Sequence, residues 1–161
     1  MVKSRLIAIL ALLVSGLSGM QPLHAAELTI TQLEDVDLGE VAPTVRRIQQ
    51  RTRFCVSSDP AGPFQLTALG SGAAGAFVLS SGAGVASEID YEVYASGRGA
   101  SRGRALVPGV ARSGFMARPP RPNGDCRPPL TMMTIVIDPS SVQSAPGGQY
   151  SGTLQLTVGP E

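Results

Sequence analysis

The chain has 161 residues, with 13 Lys and Arg against 12 Asp and Glu, 19 glycines, 13 prolines and no tryptophan. This length fits one domain. The near-neutral balance of charge gives no general electrostatic argument for a partner that is a nucleic acid or a lipid surface.

The N-terminus has the pattern of a secretory signal peptide. A short basic start precedes the apolar run Leu6–Leu17, and the small residue Ala25 follows at a distance suited to cleavage. The run is shorter than the ~20 residues that a membrane-spanning helix needs. We therefore predict that residues 1–25 are a cleaved signal peptide, that residues 26–161 form a single exported domain, and that no membrane span remains after cleavage.

Cleavage after Ala25 would remove the one histidine of the chain. A Ser-His-Asp triad, a Cys-His pair and any histidine metal ligand are then excluded. The two residues of each acidic pair, Asp35/Asp37 and Asp90/Glu92, are two positions apart on a predicted strand. Such pairs could perform acid–base catalysis or bind calcium, but the simpler interpretation is that they lie on strand faces exposed to solvent. We predict that the protein is not an enzyme and uses no metal or cofactor.

Cys55 and Cys126 are the two cysteines of the chain. In an exported protein an even pair is most simply one disulfide. Closing so long a loop would stabilise the fold by roughly 4 kcal/mol. A free reactive thiol is the alternative.

Apolar–polar alternation predicts a series of short strands separated by Gly, Pro and Ser turns. The predicted strands lie in Leu28–Leu38 (two short strands), Arg51–Ser57, Phe64–Leu69, Phe77–Leu79, Ile89–Tyr94, Leu130–Ile137 and the closing stretch 147–161. The turn Asp59–Pro63 predicts a hairpin between its neighbours, and the connection after Ile137 has room for one helical turn. This series predicts an all-β antiparallel sandwich of immunoglobulin-like type.

The closing stretch begins as a turn and continues as a strand. Leu154, Leu156 and Val158 share one parity, and Thr and Gln occupy the other, which is typical of a half-buried strand. Pro160 has no N–H to donate and should end the ladder. Because no later strand follows, we expect an earlier strand or another chain to cover this one, or its edge to stay open.

Residues 97–129 are rich in arginine and, in their second half, in proline. Proline is confined to sheet edges and loops, so we expect an irregular connection tethered by Cys126, with one short strand around Leu106–Val110. An anion-facing patch formed by the seven arginines of this region is the alternative, and replacing Arg102, Arg104 and Arg112 would test it.

Four stretches, taken in order, resemble the spore coat protein U domain family, which is related to the pilins of archaic chaperone–usher pili. They are Val36-Asp37-Leu38-Gly39, Phe54-Cys55-Val56-Ser57-Ser58 with the following strand Phe64-Gln65-Leu66-Thr67-Ala68, Ile89-Asp90-Tyr91-Glu92-Val93, and the closing segment Ala145–Leu154 running to Val158-Gly159-Pro160-Glu161. Cys126, ahead of an apolar strand, fits the second cysteine of the family. The resemblance implies a pilin-type, incomplete sandwich that passes through the periplasm to the cell surface. A periplasmic chaperone, an outer-membrane usher and neighbouring subunits would be its partners, with strand addition completing the fold.

The resemblance also implies a strand-exchange interface. Leu154, Leu156 and Val158 would line the groove that accepts a strand, and Leu28 and Ile30 would belong to a donor segment. The long N-terminal extension and early cysteine common in these pilins are missing here, so Leu28 and Ile30 fit a first strand equally well. The expected function is a structural or adhesive subunit of a surface fibre. A free secreted binding module for carbohydrate or another surface ligand is the alternative.

Overall fold

The computed structural model describes residues 27–38, 46–81, 87–97, 103–123, 125–128 and 130–161. The predicted signal peptide at residues 1–25 lies outside these ranges. Within them the strands are β1 Glu27–Thr31, β2 Ile48–Asp59, β3 Gly62–Leu69, β4 Val78–Ser81, β5 Glu88–Asp90, β6 Glu92–Ser96, β7 Arg104–Ala105, β8 Arg112–Ala117, β9 Thr131–Ile137, β10 Tyr150–Ser151 and β11 Gln155–Pro160. The helix α1 spans Pro139–Gln143, and one 3₁₀ turn spans Ala73–Gly75.

All strand pairs in these sheets are antiparallel. The large sheet has the order β1-β2-β9-β6-β7, and two three-stranded sheets have the orders β11-β3-β8 and β10-β4-β5. Their inward side chains form one core, which confirms the predicted all-β antiparallel fold. Part of this core is the ring pair Phe64–Phe115, with centroids 5.3 Å apart, and the pair Phe77–Tyr91, with centroids 5.7 Å apart.

The predicted hairpin around Asp59–Pro63 is wrong. β2 belongs to the large sheet and β3 to the sheet opposite, so the turn carries the chain across the core. Both edges of β2 are occupied by β1 and β9, and both edges of β3 by β11 and β8. The apolar faces of the two strands point at each other instead: Phe54 and Phe64 are both fully buried.

Two other predicted stretches differ from the structure. After β1 the chain turns at Gln32, whose φ is 59°, and the described residues 33–38 form no second strand. The arginine-rich region contains a strand, β8, which pairs with β3 with a shift of register between Phe64 and Leu66 and buries Phe115 and Ala117. Glycine and arginine obscured its alternation, while the expected strand around Leu106–Val110 is replaced by a turn that leaves Val107 and Val110 about half exposed.

Cys55 and Cys126 are joined by a disulfide, with their Cα atoms 5.9 Å apart. It fastens the proline-rich connection between β8 and β9 to the outer side of β2. Asp138 begins α1, because its carboxylate accepts hydrogen bonds from the backbone N–H and the hydroxyl of Ser140. None of the helices in the described ranges is long and apolar enough to cross a membrane.

Candidate functional site

The last strand has one paired edge. β11 pairs with β3 from Gln155↔Leu69 to Pro160↔Phe64, and among the described residues no strand pairs with its other side. In an antiparallel strand alternate residues direct their N–H and C=O groups to each side. The outer side of β11 therefore presents a row of backbone groups to which a further strand can bind.

A groove lies beside the start of β11, which contributes Leu156 to its lining. Its volume is about 480 Å³, and its two walls are the segment 33–38 and the stretch from Tyr150 to Leu156. β1, from which segment 33–38 continues, packs next to β11 without pairing with it. The pairing of β1 with β2 ends at Thr31, the chain turns at Gln32, and segment 33–38 then forms one wall of the groove.

The groove reaches the core of the sandwich. Leu79, Tyr91, Met133 and Ile135 form its floor, and all four are core residues. Five of the apolar residues that the core covers only in part line this groove: Val36, Leu38, Tyr150, Leu154 and Leu156. An inserted apolar side chain would complete their burial, which is the main favourable term in strand addition.

One wall of the groove is acidic. Glu34, Asp35 and Asp37 line it together with Leu33, Val36 and Leu38. Leu33 is 48% exposed, which is unusual for a large apolar side chain beside a core. Burial raises the pKa of the Tyr91 phenol on the floor, so this group is neutral at physiological pH.

Local contacts hold the opposite wall in place. The Tyr150 hydroxyl donates a hydrogen bond to the Pro146 carbonyl at 2.7 Å. A Cβ atom on Gly152 would lie 2.7 Å from the Val78 carbonyl oxygen, so only glycine permits this close approach to β4. Gly152 lies between β10, which pairs with β4, and β11, which pairs with β3.

The predicted interface residues fall in two places. Leu154 and Leu156 line the groove, and Val158 is the next inward residue along β11. Leu28 and Ile30 lie in β1, opposite Ser58 and Val56 of β2. In this structure they are part of the first strand of the large sheet.

Sequence reasoning missed the second wall and the floor of the groove. Val36 and Leu38 gave a usable signal, because they alternate with acidic residues, but they were assigned to a strand of the sandwich. The sequence gives no such signal for Tyr91, Met133 and Ile135, because core residues beneath a groove have the same apolar–polar alternation as core residues beneath a strand.

The other candidate sites are not assembled. Asp90 ends β5 and Glu92 begins β6, so the two carboxylates do not project from one strand, and Glu92 accepts a hydrogen bond from the Tyr94 hydroxyl at 2.9 Å. Within the described ranges no group of three or more His, Cys, Asp and Glu could hold a metal ion. Arg104 and Arg112 donate to the backbone carbonyls of Ser113 and Ala105, which ties the two flanks of one turn together. Arg102 lies outside the described residues.

Comparisons with known proteins give a likeness of fold. No protein-family model matches the chain, and no curated protein matches it by sequence. A solved chain reported under the description "Chaperone-tip adhesin complex is vital for synergistic activation of CFA/I fimbriae biogenesis" superposes with a TM-score of 0.58 at 17% identity. The superposition covers 85% of this chain and 43% of that one, so this chain spans less than half the length of its structural neighbour. Its antiparallel fold is thus similar to that of a protein from a fimbrial assembly complex.

Proposed function

We propose that the protein is a structural or adhesive subunit of an exported surface fibre, akin to the spore coat protein U domain family, and that its groove accepts a strand from a partner. The observation that carries the proposal is the open edge of β11 beside a groove that reaches the core. The fold likeness to a chain of a fimbrial chaperone–adhesin complex supports it. The resemblance of the closing stretch to chaperone–usher subunits supports it from the sequence.

The groove selects for an extended, alternating segment. Hydrogen bonds to β11 would give affinity, and apolar side chains on one face of the segment would enter between Leu154 and Leu156 on one wall and Val36 and Leu38 on the other. Basic residues at its remaining positions would face the acidic wall. A periplasmic chaperone, or the N-terminal segment of a neighbouring subunit, would supply such a strand on the way through an outer-membrane usher.

The alternative, a free binding module built on the arginine-rich region, has less support. Arg104 and Arg112 are held against backbone carbonyls of their own turn, so their guanidinium groups are not arranged around a shared pocket. The disulfide suits either function, because both place the protein outside the cytoplasm.

The proposal is tested by co-purification. The full chain, with its predicted leader and a tag placed after Ala25, is expressed together with the neighbouring genes of its source, and the protein is recovered from the periplasm. We expect recovery with a partner of chaperone size or as ordered oligomers. A Leu156→Asp variant should lose the partner, whereas Met116→Asp, at a residue 61% exposed on β8, should keep it. Recovery of the wild-type protein as a protease-resistant monomer would contradict the proposal.

A further inference from the structure

The outer face of the large sheet carries an open pocket of about 570 Å³, distinct from the groove. Three neighbouring strands build it in register: Arg51 of β2 lies opposite Thr134 of β9, and Thr134 lies opposite Tyr94 of β6. Phe54, Met133 and Val93 on the same strands have the opposite parity and are buried in the core. The row Arg51–Thr134–Tyr94 therefore points away from the core.

The lining of this pocket is mostly polar, carries an aromatic ring and includes the apolar residue Val136. Arg47, Gln49 and Arg51 form one side, Tyr94 the other, and Thr134 lies between them. A Cβ atom on Gly103 would lie 2.9 Å from Tyr94 Cβ, so a glycine is needed where the chain returns beside the tyrosine. The volume is in the range of small-ligand sites, which is roughly 300–1,000 Å³.

The β2 side of the pocket is positively charged. Among the described residues Arg51 has no carboxylate within ion-pair distance, and its guanidinium lies 3.1–3.2 Å from the amide oxygen of Gln49 once that amide is oriented to satisfy both groups. Arg47 forms an exposed ion pair with Asp138 at 3.7 Å. Such pairs are weak and readily exchanged for another anion.

Among the residues that the structure describes, the remaining carboxylate on this face lies apart from Arg51. Glu92 is two strands away from β2, across the Gln49–Val136–Glu92 row, or roughly 10 Å at the usual strand spacing. Its carboxylate accepts a hydrogen bond from the Tyr94 hydroxyl, which raises the pKa of Tyr94. The tyrosine is thus neutral and oriented. On the guanidinium side an anion would replace the Gln49 amide oxygen at Arg51, or the Asp138 carboxylate at Arg47.

We propose that this pocket binds a carboxylated saccharide, such as a glycan that contains uronic acid. A guanidinium group offers a planar pair of donors that matches a carboxylate. The Tyr94 ring provides a flat apolar surface for the face of a sugar ring, and Gln49 and Thr134 provide hydrogen-bonding groups for its hydroxyls. The site is independent of the proposed function, because it lies on the side of the large sheet opposite the groove.

The test is calorimetric titration of the exported protein with a tetrasaccharide of alternating glucuronate and N-acetylglucosamine. The matched ligand is the same tetrasaccharide with its carboxyl groups reduced to alcohols. We expect binding of the acidic form, a loss of affinity of about tenfold or more on reduction of the carboxyl groups, and weaker binding as the salt concentration rises.

Variants of one strand give the controls. Arg51→Gln should weaken binding about tenfold, and Arg51→Lys, which keeps the charge but not the paired donors, by less. Arg53→Gln, on the same face of β2 but outside the pocket, should change the affinity less than about twofold. Tyr94→Phe should retain binding, and Tyr94→Ala should lose it.

Three results would overturn the proposal: no binding of the acidic tetrasaccharide, equal binding of its reduced form, or an Arg51→Gln variant that binds as well as the wild-type protein. The salt dependence of binding by the wild-type protein tests the requirement for charge without any variant. The proposal can therefore be refuted even if a variant fails to fold. Loss of the strand partner in co-purification would not affect these results.

Discussion

Removing the disulfide should cost a large part of the stability of the domain. The bridge closes a loop of 71 positions between β2 and the connection that precedes β9. Loop-closure entropy for such a length corresponds to about 4 kcal/mol in favour of the cross-linked fold. Domains of this size have a free energy of unfolding of about 5–15 kcal/mol, so a sandwich with an open groove is left close to its unfolding threshold.

The assay is urea unfolding followed by circular dichroism, with a double variant Cys55→Ala and Cys126→Ala. With a slope of about 2 kcal/mol per molar urea, the midpoint should fall by about 2 M. The reduced wild-type protein is the control, because it loses the cross-link but keeps both side chains in place. The reasoning is refuted if the reduced protein and the double variant both unfold within about 0.5 M of the oxidised wild-type protein.

Three further predictions concern the groove and its surroundings. Leu156→Asp should weaken binding of a strand partner at least about tenfold, because a carboxylate would be desolvated beside β11, while Met116→Asp should not; surface-plasmon titration of the purified partner measures both. Burial raises the pKa of Tyr91, so the stability that this group contributes is complete below the unfolded pKa of about 10 and is lost as the pH rises through the folded value. Stability curves of Tyr91→Phe should therefore be flatter above pH 10, and an identical alkaline loss in this variant would contradict the assignment. Hydrogen bonds from Ser140 lower the pKa of Asp138, so their contribution is present above an unfolded pKa of about 4 and disappears as the pH falls. Asp138→Ala should show a smaller loss of stability between pH 5 and pH 2 than the wild-type protein, and an unchanged loss would show that the cap makes no contribution.

Alternation in the sequence was enough to predict the main strands and their inward faces. Phe54 and Val56 on β2, and Phe64 and Leu66 on β3, are buried as their parity predicts. The sheet to which each strand belongs was not predictable in the same way. A turn such as Asp59–Pro63 has the same composition whether it joins two neighbours in one sheet or crosses the core, and the difference depends on which distant strands occupy the edges.

The groove was even less predictable from alternation in the sequence. Leu154 and Leu156 could be identified because they share one parity with Val158 in a stretch that alternates apolar and polar residues. Their counterparts Val36 and Leu38 lie in an extended segment without strand pairing, which an alternating pattern alone does not distinguish from a strand. The pocket on the outer face of the large sheet depends on register between Arg51, Thr134 and Tyr94 across three strands, and register is set by the fold as a whole.

Hydrogen exchange at β11 tests the central claim most directly. The subunit is measured alone and in the complex recovered from the periplasm, with β3 and β9 as internal references because each is paired on both sides within the described residues. The account predicts that alternate amides of Gln155–Pro160 exchange rapidly in the isolated subunit and become protected in the complex, together with slower exchange in segment 33–38. Equal and full protection of β11 in the isolated subunit would show that its edge is already covered, and it would contradict the account.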